Sequence, residues 1–288
     1  MANATEAVSR TVPRRRGRPT VADPLWHDLQ DEAREAARLE PMLSGFLWPT
    51  ILSRKSLEDA VARRITTRLA SEALPSELLD ETFAEAFAAT PEIAAALRSD
   101  LRAILERDPA CERALEPVLY FKGFHALEAH RLAHWLWRGG RRDLALLVQS
   151  RSSEVFQTDI HPAASFGQGV FLDHATGFVA GETVVVEDDV SILQGVTLGG
   201  TGHDRVSRHP VIRQGTLIGA DAAILGSVEI GAFSRIAAGS VVLDDVPRCS
   251  TVAGVPARVV GTGGCPEPAR LMDQRLEGAA YASFAYAI

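Results

Sequence analysis

The 288-residue sequence has only three cysteines, Cys111, Cys249 and Cys265, odd in number and far apart. That argues against a disulfide framework or a zinc knuckle, and each is read as a free thiol, with Cys111 packed. No stretch approaches the ~20 apolar residues that a bilayer crossing needs, and the N-terminus lacks the apolar core of a secretory signal. A soluble, cytoplasmic protein with no membrane partner is therefore expected. Positive charge is also short, because the net charge is -7. Residues 1–20 oppose Arg10, Arg14, Arg15, Arg16 and Arg18 to Glu6 alone, so this segment is net +4 and the remainder -11. An acidic body argues against a nucleic-acid partner, and residues 1–20 are read as a basic disordered extension with no assigned function. What remains is 46% hydrophobic and long enough to build a substantial core.

Large apolar residues arrive every six positions in the C-terminal half. Ile160, Phe166, Leu172, Phe178, Val184, Val190 and Val196 keep step, and Ile212, Ile218, Ile224, Ile230, Ile236 and Val242 resume it. A period of six is not helical; it marks a parallel β-helix whose short strands form flat faces, coil stacked on coil. The gap from Val196 to Ile212 spans sixteen residues, which predicts ten extra residues leaving the solenoid and returning in phase. The excursion loop is set at 200–211 within a β-helix of 159–261, followed by a flexible tail over 262–288.

Residues 21–158 read as an α-helical domain. Asp23-Pro24 and Asp108-Pro109 place a capping acid before a proline suited to the first helical position. Ser56 with Asp59 resembles a capping box, and Leu57, Val61, Ile65 and Leu69 recur along one face. Further helices are expected over 76–88, 91–106 and 118–138, giving a bundle of six to eight. His130 and His134 lie one helical turn apart, but no HExxH acid follows His130, so these two and His125 are read as packing residues and no metal site is assigned.

Chemistry is expected at the start of the solenoid. Asp159-Ile160-His161-Pro162 and Asp173-His174-Ala175-Thr176-Gly177 fall on neighbouring coils of about eighteen residues. Should Asp159 accept a hydrogen bond from one ring nitrogen of His174, the other nitrogen is left free to act as a general base. In the loop, Arg208 could hold a carboxylate in bidentate fashion and His209 adds a donor.

Together these segments resemble the serine O-acetyltransferase family of hexapeptide-repeat acyltransferases. The likeness is carried by Arg107-Asp108-Pro109-Ala110, Lys122 to Leu127, His134 to Trp137, Asp159 to Ala164, Asp173 to Gly177, Ser191 to Gly202, Arg208-His209-Pro210 and Ala253 to Arg258. The resemblance implies an α+β protein, a helical bundle followed by a left-handed parallel β-helix, assembled as a homotrimer or a dimer of trimers. It implies transfer of acetyl from acetyl-CoA, a co-substrate and not a bound cofactor, to the L-serine hydroxyl, with L-cysteine as inhibitor. His174 would then be the catalytic base and Asp159 its partner, with Asp108, Asp173, Arg208 and His209 on the amino acid and Gly200, Ala220 and Ala238 along the CoA arm. Ile288 matches a terminal isoleucine that docks into O-acetylserine sulfhydrylase, although Ala285, Tyr286 and Ala287 depart from the glycine-and-acid run common there. Two alternatives stand beside it: an acetyltransferase for another hydroxyl acceptor, and a non-catalytic scaffold that binds a partner.

Overall fold

The computed structural model describes residues 23–202, 208–262 and 267–276. The basic extension, residues 203–207 of the loop, Cys265 and Ile288 lie outside the described residues. Among the described residues, eight α-helices precede the solenoid: α1 (Pro24–Leu39), α2 (Ser44–Leu47), α3 (Leu57–Leu69), α4 (Ser76–Ala89), α5 (Pro91–Arg107), α6 (Leu115–Leu119), α7 (Lys122–Arg138) and α8 (Arg142–Phe156). Asp23 caps α1 by accepting from the Trp26 N–H at 3.4 Å, and Ser56 caps α3 by accepting from the Asp59 N–H at 3.3 Å.

Two expectations change here. The single helix expected over 118–138 is broken at Tyr120 and Phe121, because side chains take the carbonyls that would continue it: Arg64 Nε donates to Leu119 O at 2.8 Å and His125 Nε2 to Val118 O at 2.8 Å. Asp108 does not start a helix but closes α5, where its N–H donates to Ile104 O at 2.9 Å. Its Oδ1 accepts from the Ala110 N–H at 2.9 Å, a local turn that directs the chain away from helix.

Among the described residues, fifteen strands, numbered along the chain, wind into three sheets. The first holds β1 (Thr158–Ile160), β4 (Phe178–Ala180), β7 (Thr197–Gly199), β10 (Ala223–Leu225) and β13 (Val241–Val242). The second holds β2 (Ser165–Phe166), β5 (Val185–Val186), β8 (Val211–Ile212) and β11 (Glu229–Ile230). The third holds β3 (Phe171–Leu172), β6 (Ser191–Ile192), β9 (Leu217–Ile218), β12 (Arg235–Ile236), β14 (Ser250–Gly254) and, antiparallel to β14, β15 (Ala257–Thr262).

The ladders are parallel, and their register corrects the reading of the repeat. Leu172 lies opposite Ile192, a step of 20 residues, whereas Ala180 lies opposite Leu198, a step of 18. Across the loop Ile192 lies opposite Ile218, a step of 26, and thereafter Ile218 lies opposite Ile236, again 18. The inward line is therefore Ile160, Phe166 and Leu172, then Ala180, Val186, Ile192 and Leu198, then Ile212 onward. Phe178, Val184, Val190 and Val196 sit two residues earlier and are buried as well. Of the ten extra residues, eight belong to the loop and two widen the corner at 173–177, between the third sheet and the first.

Within the segment read as a tail, residues 267–276 include a helical turn, α9 (Pro268–Leu271), with Pro268 and Ala269 buried. Cys111 is a buried free thiol as expected, whereas Cys249 is disulfide-bonded, against the reading of three free thiols. No described helix is long and apolar enough to cross a membrane.

Helical domain and solenoid meet through a buried charge cluster. Arg131 Nε on α7 donates to Asp100 Oδ2 on α5 at 2.9 Å, and Arg131 Nη2 donates to Gly167 O at 2.7 Å. Asp100 Oδ1 accepts from the Val170 N–H at 2.8 Å. Burial pushes the neighbouring Glu128 carboxyl well above its ordinary range, with Arg131 opposing the shift and Asp100 adding to it.

His125 lies in the helical core with both ring nitrogens engaged, Nδ1 accepting from Arg68 Nη1 at 2.8 Å. Burial draws its pKa from 6.5 down to about 3. The unfolded chain takes up this proton below about pH 6.5 while the folded chain refuses it until about pH 3, so stability falls as the pH drops through that window. His125→Gln should flatten the pH dependence of the urea unfolding energy between about pH 6.5 and 4, by up to ~1.4 kcal/mol per pH unit. Parallel slopes for the two proteins would show that this imidazole is not the acid-sensitive group.

Candidate active site

The widened corner at 173–177 is the most unusual backbone in the solenoid. His174 and Ala175 are consecutive non-glycine residues at φ 54° and 64°, followed by Gly177 at 77°. Left-handed conformations cost free energy for residues with a Cβ and gather at functional sites. The turn is closed by Thr176 N–H donating to His174 O at 2.9 Å and Gly177 N–H donating to Gln157 O at 2.8 Å. Its effect is to push the His174 ring outward, 74% exposed, with Nε2 3.8 Å from Asp173 Oδ1.

Helices bring the rest of this cavity. Asp108 at the end of α5, Tyr120, Lys122 at the start of α7, Asp173 and His174 line a space of about 540 Å³. Lys122 Nζ donates to Thr176 Oγ1. Burial raises the Asp173 carboxyl above its ordinary range; His174 opposes the shift and the Asp108 charge reinforces it. Sequence reasoning assigned no role to Lys122, whose signal was its place beside the Gly123-Phe124-His125 run.

Arg208 and His209 stand elsewhere, at the corner between the first and second sheets. Arg208 Nη2 pairs with Glu182 Oε2 at 2.9 Å. His209 Nδ1 accepts from the Thr183 N–H at 3.2 Å, which leaves the proton of the neutral ring on Nε2. Burial lowers the His209 pKa, with Arg208 adding to it, so the ring is neutral near pH 7. A Cβ on Gly181 would lie 2.0 Å from His209 Nε2, so glycine there makes room for the ring. His161, also at this corner, accepts from the Ala163 N–H at 3.0 Å, and burial lowers its pKa while Glu182 and Asp159 oppose.

Asp159 occupies the outward middle position of β1, opposite Val179, and accepts from Gln149 Nε2 at 2.6 Å. Among the described residues no hydrogen bond or ion pair joins Asp159 to His174 within the chain. Ala220 and Ala238 lie along the same edge as His174, one above the other, where Gly239 N–H donates to Ala220 O at 2.8 Å. Gly200 lies instead by the Arg208 corner, where an added Cβ would stand 3.1 Å from His209 Nε2. No group of three or more His, Cys, Asp or Glu among the described residues is placed to hold a metal ion. The sequence-derived site thus forms two parts, Asp108, Asp173, His174, Ala220 and Ala238 on one edge of the prism and Gly200, Arg208 and His209 on another, with Asp159 on the face between them.

Known proteins match this arrangement over most of its length. A family model described as serine acetyltransferase, N-terminal, matches residues 25–129, and one described as bacterial transferase hexapeptide (six repeats) matches residues 209–244. The serine acetyltransferase of Salmonella typhimurium is 51% identical over 254 residues, 88% of this chain and 93% of that protein. The crystal structure of serine acetyltransferase in complex with coenzyme A from Brucella abortus is 57% identical, with a TM-score of 0.84, covering 85% of this chain and 98% of that one. A structure of serine acetyltransferase in complex with cysteine is 46% identical with a TM-score of 0.86, covering 88% of this chain and 99% of that one. The solenoid has the left-handed winding of hexapeptide repeats.

The cavity depends on α7 lying close to β3. A Cβ on Gly123 would stand 1.9 Å from Leu172 O and 3.3 Å from the Ala175 Cβ. Gly123→Ala must push the helix off the strand that leads into Asp173 and His174, and should lower unfolding free energy by about 1–3 kcal/mol. A denaturation curve superimposable on that of the parent would refute this close packing.

Proposed function

Because this chain belongs to the serine acetyltransferase family, we propose that His174 takes the hydroxyl proton of L-serine as that oxygen attacks the acetyl carbon of acetyl-CoA. The enzyme is an acetyl-CoA:L-serine O-acetyltransferase; it yields O-acetyl-L-serine and CoA at the first committed step of cysteine biosynthesis. In the proposed sequence the new C–O bond forms, charge collects on the carbonyl oxygen, the C–S bond breaks, and the His174 imidazolium returns the proton to the CoA thiolate. Such general base work contributes about 10²–10⁴-fold in rate. Asp108 and Asp173 face the amino acid's ammonium, Arg208 its carboxylate, and the small residues Ala220 and Ala238 let the pantetheine arm lie against the backbone. L-Cysteine, alike in all but one atom, competes for the same pocket, and the reaction is placed in the cytoplasm.

The observation that carries this reading is the strained, widened corner presenting His174 beside Asp173 in the cavity that Asp108 closes. The parts on separate edges argue for a homotrimer, alone or as a dimer of trimers, in which the His174 edge of one copy meets Asp159, Arg208 and His209 of the next. Asp159 then steers His174 across the interface, releasing Gln149.

His174→Ala should lower kcat about 10²–10⁴-fold while the oligomer and CoA affinity persist. Co-expressing His174→Ala chains with Asp159→Asn chains should restore part of the activity, because a mixed trimer contains one site with both groups intact. Wild-type turnover by His174→Ala would remove the base from the mechanism, and mixed trimers as inactive as either parent would place the dyad within one chain.

Ile288 is proposed as an anchor for O-acetylserine sulfhydrylase, on its match to the isoleucine through which serine O-acetyltransferases dock there. Deleting Ile288 should abolish co-elution with the sulfhydrylase and leave acetylation unchanged. Undiminished co-elution would free the terminus from this role.

A further inference from the structure

Arg107 is the last residue of α5 and the neighbour of Asp108, yet its side chain turns away from the cavity into the solenoid, where it is 6% exposed. Its Nη1 donates to Ser191 Oγ at 3.1 Å and its Nη2 to Asp189 Oδ1 at 3.1 Å. Ser191 lies directly opposite Phe171 in the parallel register, and Phe171 is two residues before Asp173. Ser191 Oγ in turn donates to Ala269 O at 2.8 Å. One guanidinium therefore ties the end of α5 to the pair of strands from which Asp173 and His174 emerge.

Packing does not account for this contact. A guanidinium this deep loses its hydration, and burial pulls its pKa down although Asp189 opposes the shift. Its Nε is buried with no partner. An arrangement that leaves a charged group partly unsatisfied lowers stability, and such arrangements persist where they fix a geometry. What is fixed here is the exit of α5. The Asp108 Oδ1 is already held by the Ala110 N–H, so the carboxylate is a rigid extension of the backbone that Arg107 anchors.

We propose that Arg107 is a positioning residue for the amino-acid substrate, holding Asp108 at the distance from Asp173 at which both carboxylates reach one ammonium group. The proposal rests on the reading of Asp108 as a substrate ligand. Arg107 touches no substrate itself; its hydrogen bonds run to Asp189 and Ser191, not to Ala220 or Ala238, so its effect is expected on the amino-acid side of the reaction.

The test measures steady-state kinetics of the oligomeric full-length enzyme for Arg107→Met, Arg107→Lys, Ser191→Ala, Asp108→Asn and the double variant Arg107→Met/Asp108→Asn. Arg107→Met should raise the serine KM roughly 10–100-fold while the acetyl-CoA KM stays within about twofold, because a small misplacement of a binding group carries a cost of that order. Arg107→Lys should recover part of the loss, and Ser191→Ala, which keeps the Asp189 pair, should show a smaller rise of the same kind. In the Asp108→Asn background the Arg107→Met change should add less than about twofold, because residues acting as a unit are not additive. Multiplicative effects in the double variant, or equal rises in both KM values, overturn the proposal. An unchanged serine KM in Asp108→Asn overturns instead the reading of the pocket. Should Arg107→Met fail to fold, Arg107→Lys and Ser191→Ala carry the same comparison.

Discussion

Each coil of the solenoid buries its apolar interior only if its inward side chains stack over those of the coil before, and on this parallel register every other feature depends. A shift of one residue would turn the inward face out, so the ladders tolerate insertions only at corners. Among the described residues this chain makes two such insertions, and each lies beside residues proposed for the site. Two residues enter at 173–177 and push His174 outward; eight enter between Leu198 and Ile212, in the segment that leads to Arg208 and His209. The flat sheets supply rigidity, and the corners leave room for side chains to point outward.

The helical domain is held to this scaffold by charge as much as by apolar packing. Asp100 and Arg131 reach from α5 and α7 to the corner at 166–170, and Arg107 reaches to Asp189 and Ser191 on the following coil. A buried ion pair adds little net stability over an apolar replacement of the same shape, but losing one partner strands the other at a cost of about 3–5 kcal/mol. Such contacts discriminate sharply between docking geometries. Apolar side chains alone would let α5 slide on the solenoid, and Asp108 would move with it.

How much of this was legible follows from the physics of each feature. Inward side chains at a fixed period are a local signal, so the stacked prism could be read from the chain alone. The phase slip at 173–177 could not, because each coil buries two positions two residues apart, and Phe178, Val184, Val190 and Val196 happened to keep the count of six while the inward line moved to Ala180, Val186, Ile192 and Leu198. Helix ends were legible where a side chain caps its own turn, as at Asp23 and Ser56. The break at Tyr120 was not, since Arg64 and His125 reach it from other turns of the fold. His174, Asp173 and Asp108 could be singled out as residues, and they line one cavity. The separation of Arg208 and His209 onto another edge depends on which corner the loop leaves, which no local spacing records.

The pair Asp108 and Asp173 also bears on which acceptor the pocket takes. Burial already penalises the Asp173 carboxylate, and the Asp108 charge adds to the penalty. An ammonium between them relieves both at once, and the gain is available only to a substrate that carries that charge. A sugar or other neutral alcohol would meet the same base but leave the penalty on Asp173 unrelieved, and sites built on polar groups reject ligands that cannot satisfy them far more strongly than apolar pockets do. With Asp108 and Asp173 in their proposed roles, the charge in this cavity favours an amino acid among the acceptors open to a hexapeptide-repeat acetyltransferase, and the proposed anchor at Arg107 would maintain the spacing on which that preference depends.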